Sequence, residues 1–289
     1  MRVLVTGSSG FIGLNTCDFL RTKGYEIRKV DKADEIEPID IRNLNRLKTV
    51  FSEFEPDVVI HLAALASVPI AEKKPFEAYS TNVIGTLNVV ECANKLKAKV
   101  IFASSAAVYG DPSTLPTPET SPLIPTNVYG ATKVAAENIV SLRARKWLIF
   151  RLFNVYGPKC YRSYVIPDII RRIMQGDNPL RALGTGEEKR DFVYVTDVVK
   201  AFMLGIEKDE NGTFNVGCGK SIRIKDLIRK MLEITELKTR YVFAGSKRIG
   251  DFDCNWADIS RINKQLGWKP ETKLEEGLRK TIKWYSQLN

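Results

Sequence analysis

The sequence predicts an α/β chain: a doubly wound parallel sheet with a smaller mixed α/β lobe attached. Three observations predict it. In the first half, short apolar runs alternate with amphipathic stretches, the pattern of parallel strands joined by covering helices. A glycine-rich segment falls at the first strand-to-helix junction, as in Rossmann-type nucleotide folds. In the second half, helical stretches are set apart by turn-rich segments, the look of an irregular added lobe.

The apolar runs Arg2–Val5, Glu26–Val30, Val58–Leu62 and Val100–Ala103 read as buried strands. Gly10–Lys23, Leu44–Glu53, Asn82–Leu96 and Val128–Arg145 carry helical periodicity. Further strands are expected at Trp147–Leu152, Phe192–Val195 and Thr213–Val216. Further helices are expected at Val165–Gly176, Ile224–Glu233, Ser260–Leu266 and Leu274–Tyr285. Pro112–Pro125 holds five prolines and is long enough to be a functional loop. The strand-like stretch Asp191–Val195 is expected to return to the first domain, which makes the boundary discontinuous in sequence. The first domain is then 1–154 with about 190–208, and the lobe is about 155–189 with 209–289.

With 289 residues, 44% hydrophobic and 27% charged, the chain has the balance of an ordinary globular protein. The longest apolar runs fall short of the ~20 residues of a membrane helix. The opening run is too short for a signal peptide, so a cytoplasmic location is expected. His61 is the one histidine, so a Ser-His-Asp triad or a His-rich metal site would depend on it alone. Five scattered cysteines without a CxxC indicate free thiols and no bound metal. The net charge of +10 is spread along the chain with no interleaved aromatics, which favours an anionic small molecule over nucleic acid.

Val3–Gly13 runs from a strand into a GxxGxxG turn and a helix. Gly7 allows the tight turn, Gly10 lets the backbone approach a pyrophosphate, and Gly13 lets the helix pack on the sheet. The N–H groups of Phe11 and Ile12 begin the helix and face the phosphates. The second strand ends at Asp31, 18 positions after Gly13. A carboxylate there accepts from ribose hydroxyls and repels a 2′-phosphate, which favours NAD over NADP. Asp40 and Ile41 are expected beside the adenine.

Tyr129 and Lys133 are four apart on a helix and so share one face. A phenol titrates near ~10, and a neighbouring ammonium lowers it toward use as a base. Ser104 and Ser105 stand at the end of a predicted parallel strand, where ligands bind in such sheets. Ser105 is placed to hold a substrate hydroxyl against Tyr129.

These motifs resemble the extended short-chain dehydrogenase/reductases, and within them the NAD-dependent nucleotide-sugar epimerases of the UDP-glucose 4-epimerase type. Thr6–Gly13 resembles the family's TGxxGFIG. His61 to Ala64 resembles HxAA, which implies cofactor contacts at Leu62, Ala63 and Ala64, with His61 as a packing residue. Asn82–Thr86 resembles NVxGT, and Lys74 falls on a cofactor-contacting lysine. Arg151–Pro158 resembles RxFNxYGP, which places Phe153 by the cofactor and Asn154 by the substrate. Gly184–Asp197 resembles GxGxxxRDFVYVxD, whose arginine, here Arg190, grips the substrate diphosphate. Arg248–Asp251 resembles RxGD, implying the same for Arg248 and a substrate contact at Asp251. Asn255 falls where the family limits space beside the sugar 2-substituent.

Ala106 and Ala107 occupy the positions where relatives that dehydrate or decarboxylate nucleotide sugars carry carboxylates. The resemblance therefore implies 4-epimerisation of a UDP-hexose. An N-acetylhexosamine substrate, a net oxidoreductase and a non-catalytic nucleotide binder stay open. It also implies a homodimer through the Asn82–Leu96 and Val128–Arg145 helices, with Val83, Leu87 and Val90 available either for that contact or for packing on the sheet.

Overall fold

A computed structural model describes residues 1–161, 164–245 and 254–288. The chain opens β1 (Arg2–Thr6), α1 (Phe11–Thr22), β2 (Glu26–Val30), α2 (Leu44–Phe54) and β3 (Val58–His61). Two short helices follow, α3 (Val68–Lys73) and α4 (Pro75–Tyr79), then a π-helical turn (Ser80–Ile84) that runs into α5 (Gly85–Lys95). Next come β4 (Lys99–Ser105), α6 (Val128–Arg143), β5 (Trp147–Leu152) and β6 (Asn154–Tyr156). The rest is α7 (Val165–Met174), β7 (Leu180–Ala182), β8 (Lys189–Arg190), β9 (Phe192–Tyr194), α8 (Val195–Glu207) and β10 (Gly212–Val216). It ends with β11 (Ile222–Arg223), α9 (Ile224–Thr235), β12 (Tyr241–Phe243), β13 (Cys254–Asn255), α10 (Ser260–Leu266) and α11 (Leu274–Ser286).

The central sheet has six strands in the order β10-β5-β4-β3-β1-β2, every pair parallel. Successive residues of a strand face opposite sides. Val3 and Val5 accordingly join the core under α1, α8 and α10, while Leu4 joins the core under α2, α5 and α6. The chain leaves β1 toward β2 on one side and passes through β3 to β4 and β5 on the other. That reversal opens a crevice at the carboxyl ends of β1 and β3.

The lobe gathers α7, α9 and α11 around one core that includes Ile169, Leu227 and Leu278. β9 pairs with β6 in a ribbon of its own, and its Val193 packs into the sheet core on the side of α1 and α8. One expectation is corrected here. Gly212–Val216, expected in the lobe, is the outer strand of the central sheet, paired with β5. Helix α8 was also not foreseen. Its β-branched start reads as strand, yet Val195, Val198, Val199, Phe202 and Ile206 fall at helical spacing and are all buried.

Candidate active site

The glycine turn is fixed by backbone contact. Gly7 lies at φ +72°, and a Cβ there would stand 2.6 Å from the Ala63 nitrogen. A Cβ on Gly13 would stand 2.1 Å from the Gly7 carbonyl oxygen, so α1 packs against the turn with no room for a methyl group. No side chain caps α1 and its first turn holds no acid, which leaves the N–H groups of Phe11 and Ile12 for a phosphate. Ser8 Oγ, in the same turn, is buried without a hydrogen-bond partner among the described residues. Asp31 stands at the lip of the turn and accepts from Ser9 N at 3.0 Å and Ala33 N at 2.9 Å. A cradle that a Cβ would fill, an uncapped helix start and an orphaned hydroxyl together fit a dinucleotide.

His61 lies under this cradle, fully buried. Its Nδ1 is 2.7 Å from Thr6 Oγ1 and its Nε2 3.0 Å from Thr86 Oγ1. Thr86 spends its hydroxyl hydrogen on the Asn82 carbonyl, so Nε2–H donates to Thr86 and Nδ1 accepts from Thr6. Burial, aided by the Lys133 charge, pushes the imidazole down to about 3 and keeps it neutral. Thr6 Oγ1 also accepts from Ala63 N, and Leu62 N donates to the Thr6 carbonyl. His61 thus braces the Leu62–Ala63 wall, while Ala64, half-buried, continues it.

Several residues expected at the cofactor spend their side chains elsewhere. The Ile41 side chain packs on Gly85 in the core, which leaves only its backbone for a ligand. The Asn82 amide is buried, accepting from Leu65 N at 2.7 Å and donating to Thr132 Oγ1 at 2.8 Å. It ties the wall loop to α6 and presents nothing to the crevice. The Ser104 hydroxyl donates to Glu137 behind the strand. Phe153 is buried with Val108 and Tyr109. Asp40 stays at the edge of the crevice, and its hydrogen bonds from Arg42 hold its carboxyl below the ordinary range. Lys74 is exposed and reaches Glu77, which also meets Lys32 next to Asp31. That places Lys74 on the Asp31 side of the crevice.

At the other end of the crevice α6 brings the chemical groups together. Asn127 caps the helix by accepting from Gly130 N at 2.8 Å. A Cβ on Gly130 would stand 2.5 Å from the Ala107 carbonyl oxygen, so the glycine lets α6 press its start against the turn after β4. This contact holds half-buried Tyr129, next to Gly130, at the turn that follows Ser105. Lys133 is buried, its Nζ donates to the Ala103 carbonyl at 2.7 Å, and it lies 6.0 Å from the Tyr129 ring centre. Burial pushes its ammonium down to about 7, with Glu137 opposing. Ser105 Oγ accepts from Ala107 N at 3.2 Å, leaving its hydrogen to a ligand.

The lobe side is assembled from distant segments. Asn154 donates through N and Nδ2 to the Asp191 carbonyl, both at 3.0 Å. The buried Asp191 carboxylate accepts from Cys218 N at 2.5 Å, Gly219 N at 2.9 Å and Ala257 N at 3.1 Å. Burial pushes it up to about 6 despite those three donors. Arg190 is next in the chain, and β8 pairs it with Asn255. Asn255 is buried too: Oδ1 accepts from Thr117 Oγ1 at 3.1 Å, and Nδ2 has no partner among the described residues. Arg248 and Asp251 lie outside the described residues. Sequence reading missed Asp191 and Glu137. The first stood inside the quoted RDFVYV stretch, and the second lies four residues after Lys133 on its face of α6.

A parallel α/β sheet with a dinucleotide cradle at its switch point and a Tyr–Lys–Ser group at the next strand end defines a nucleotide-dependent enzyme of the dehydrogenase/reductase type. The chain belongs to the NAD dependent epimerase/dehydratase family, whose model matches residues 3–217. It is 32% identical to a putative UDP-glucose 4-epimerase of Methanocaldococcus jannaschii, over 99% of both chains. It is also 32% identical to a dTDP-D-glucose 4,6-dehydratase of Mus musculus, over 98% of this chain and 88% of that one. Its structure matches that of a UDP-glucose 4-epimerase of Thermotoga maritima, solved with UDP-glucose, at a TM-score of 0.91 and 32% identity, over 100% and 99% of the two chains.

Proposed function

We propose that this enzyme interconverts UDP-galactose and UDP-glucose by epimerisation at C4 through a transient 4-keto sugar, with NAD retained through the cycle. The observation that carries this reading is the strand end itself. Tyr129, Lys133 and Ser105 converge there, while the turn beyond carries Ala106 and Ala107 and offers no carboxyl for elimination. That chemistry supports epimerisation over dehydration, the activity named for a relative of the same 32% identity.

The cradle of Gly7, Gly10, Phe11, Ile12 and Gly13 would hold the NAD pyrophosphate, and Asp31 its ribose. Bound there, NAD supplies a reversible hydride acceptor. Tyr129 takes the proton of the sugar 4-hydroxyl and later returns it. Lys133 stabilises the phenolate by its charge, and Ser105 donates to the oxygen at C4. Arg190, a planar fork suited to phosphate, anchors the diphosphate while the sugar turns. Asn154 steadies the same end, and the free Nδ2 of Asn255 is a donor for the sugar.

We take the enzyme to be a cytoplasmic homodimer. No helix among the described residues is long and apolar enough to cross a membrane. Phe76, Tyr79, Ile84 and Leu142 are exposed apolar side chains on and around the paired α5 and α6. Val90 takes the second of its two expected places and packs in the sheet core.

The test is a proton NMR time course with UDP-galactose and catalytic NAD. The anomeric signal of UDP-glucose should grow with no net NADH. Stoichiometric NADH would make the enzyme an oxidoreductase. No conversion by folded, NAD-loaded protein would remove this substrate pair.

A further inference from the structure

Beyond Tyr129 and Lys133, the same face of α6 carries a third ionisable residue, Glu137, one turn further on and 4% exposed. Its carboxylate accepts from three donor atoms on two residues. Oε1 accepts from Ser104 Oγ at 2.5 Å. Arg151 on β5 closes a fork on it, with Nε at 3.0 Å from Oε1 and Nη2 at 2.7 Å from Oε2. The remaining guanidinium nitrogen, Nη1, donates at 3.0 Å to both Tyr109 Oη and the Glu119 carbonyl. Tyr109 in turn donates to Asn215 at 2.7 Å.

The register of these contacts is informative. Three consecutive residues of β4 meet α6 or the crevice: Ala103 takes Lys133, Ser104 takes Glu137, and Ser105 faces the crevice. The strand end is therefore fastened to the catalytic helix at two adjacent points, and Ser105 is the next residue out. A buried carboxylate would not be kept here for stability alone, since an apolar pair of the same volume often serves a core as well.

We propose that Glu137 is a positioning residue of the reaction, which through Ser104 and Arg151 fixes Ser105 against Tyr129 and supplies the counter-charge of Lys133. This rests on the reading of Tyr129, Lys133 and Ser105 as the reacting group. The groups around the pair are His61 from β3, Arg151 from β5, Tyr109 after β4, Glu119 from the proline-rich loop, Glu72 from α3 at the start of α6, and Tyr129 itself. His61 is held neutral and Tyr109 is pushed up to about 12, while Arg151 stays charged. Titration near pH 7 at this corner therefore belongs to Lys133.

The experiment compares wild type, Glu137→Gln, Glu137→Asp and Ser104→Ala, each checked for fold by circular dichroism and for bound NAD. Lys133 is followed first, without substrate, by NMR titration of 13C-labelled lysine, with Lys133→Arg giving the assignment. Glu137→Gln should lower the Lys133 midpoint by about one pH unit or more, because the ammonium loses its counter-charge. Glu137→Asp should restore the midpoint, and Ser104→Ala should leave it in place. With UDP-galactose, Glu137→Gln should lower kcat about 10-fold or more, move its acid limb and leave KM nearly unchanged. Ser104→Ala should lower kcat with the limb in place. A folded Glu137→Gln enzyme with an unmoved Lys133 midpoint and an unmoved pH profile overturns the proposal. Should Glu137→Gln not fold, an unchanged kcat in Ser104→Ala overturns it as well. If wild type fails on UDP-galactose, the substrate reading falls, and the Lys133 titration still decides the role of Glu137.

Discussion

The cofactor cradle and the substrate lobe are held in shape by opposite means. In the cradle, backbone meets backbone: Gly7 against Ala63, Gly13 against Gly7, with no space for one more carbon. In the lobe, a buried carboxylate does the joining. Asp191 gathers the 217–219 turn and the Ala257 segment through three N–H groups, while its own carbonyl holds Asn154. The difference teaches what each region is sensitive to. The cradle answers to volume, and the lobe answers to charge and protonation.

The sharpest break is at the junction of the two regions. Tyr129→Phe should cut turnover by about 10²–10⁴-fold while nucleotide binding persists, measured by the NMR assay and by NAD content. Next is volume in the cradle. Gly13→Ala places a methyl where no atom fits, an overpacking cost of ~1–3 kcal/mol that moving α1 would relieve only by opening the cradle. NAD affinity should fall by about 10-fold or more, read by fluorescence titration, with the lobe unaffected. An unchanged affinity would show that the cradle yields.

The smaller effects concern pH, and the regions should differ in sign. His61 is depressed from 6.5 to about 3 on folding. Its contribution is present above pH 6.5 and lost as pH falls from there toward 3. Asp191 is raised from 3.8 to about 6. Its contribution is present below 3.8 and lost as pH rises through 6. Melting temperatures measured from pH 4 to 7 should separate the two. His61→Asn should flatten the loss on acidification, and Asp191→Asn should steepen it. Asp191→Asn also removes one acceptor from three N–H groups, so KM for the UDP-sugar should rise more than kcat falls. Equal slopes in both variants would erase the contrast.

What the sequence revealed follows the same division. Thr6–Gly13 and Asp31 were legible because their work is local: a strand, a turn and a helix start form in one stretch of chain. Tyr129 and Lys133 were legible because i and i+4 share a helix face. Asp191 was not, since its three donors lie 27, 28 and 66 positions away. Glu137 was missed because Ser104 and Arg151 reach it only once β4, β5 and α6 have packed. Ile41, Asn82 and Ser104 show the converse. A side chain next to a binding motif reads the same in sequence whether it faces the crevice or the core behind it. The edge strand Gly212–Val216 was placed in the lobe because chain order suggested it, whereas the sheet recruits it by pairing with β5.

The central claim is that the C4 hydrogen leaves the sugar and returns to it while Tyr129 handles only the hydroxyl proton. UDP-galactose deuterated at C4 tests this most directly, with the product read by NMR. The account predicts UDP-glucose that keeps its deuterium at C4, with no solvent hydrogen there. Washout of the label into water would mean that the carbon-bound hydrogen leaves as a proton, and the account would be wrong.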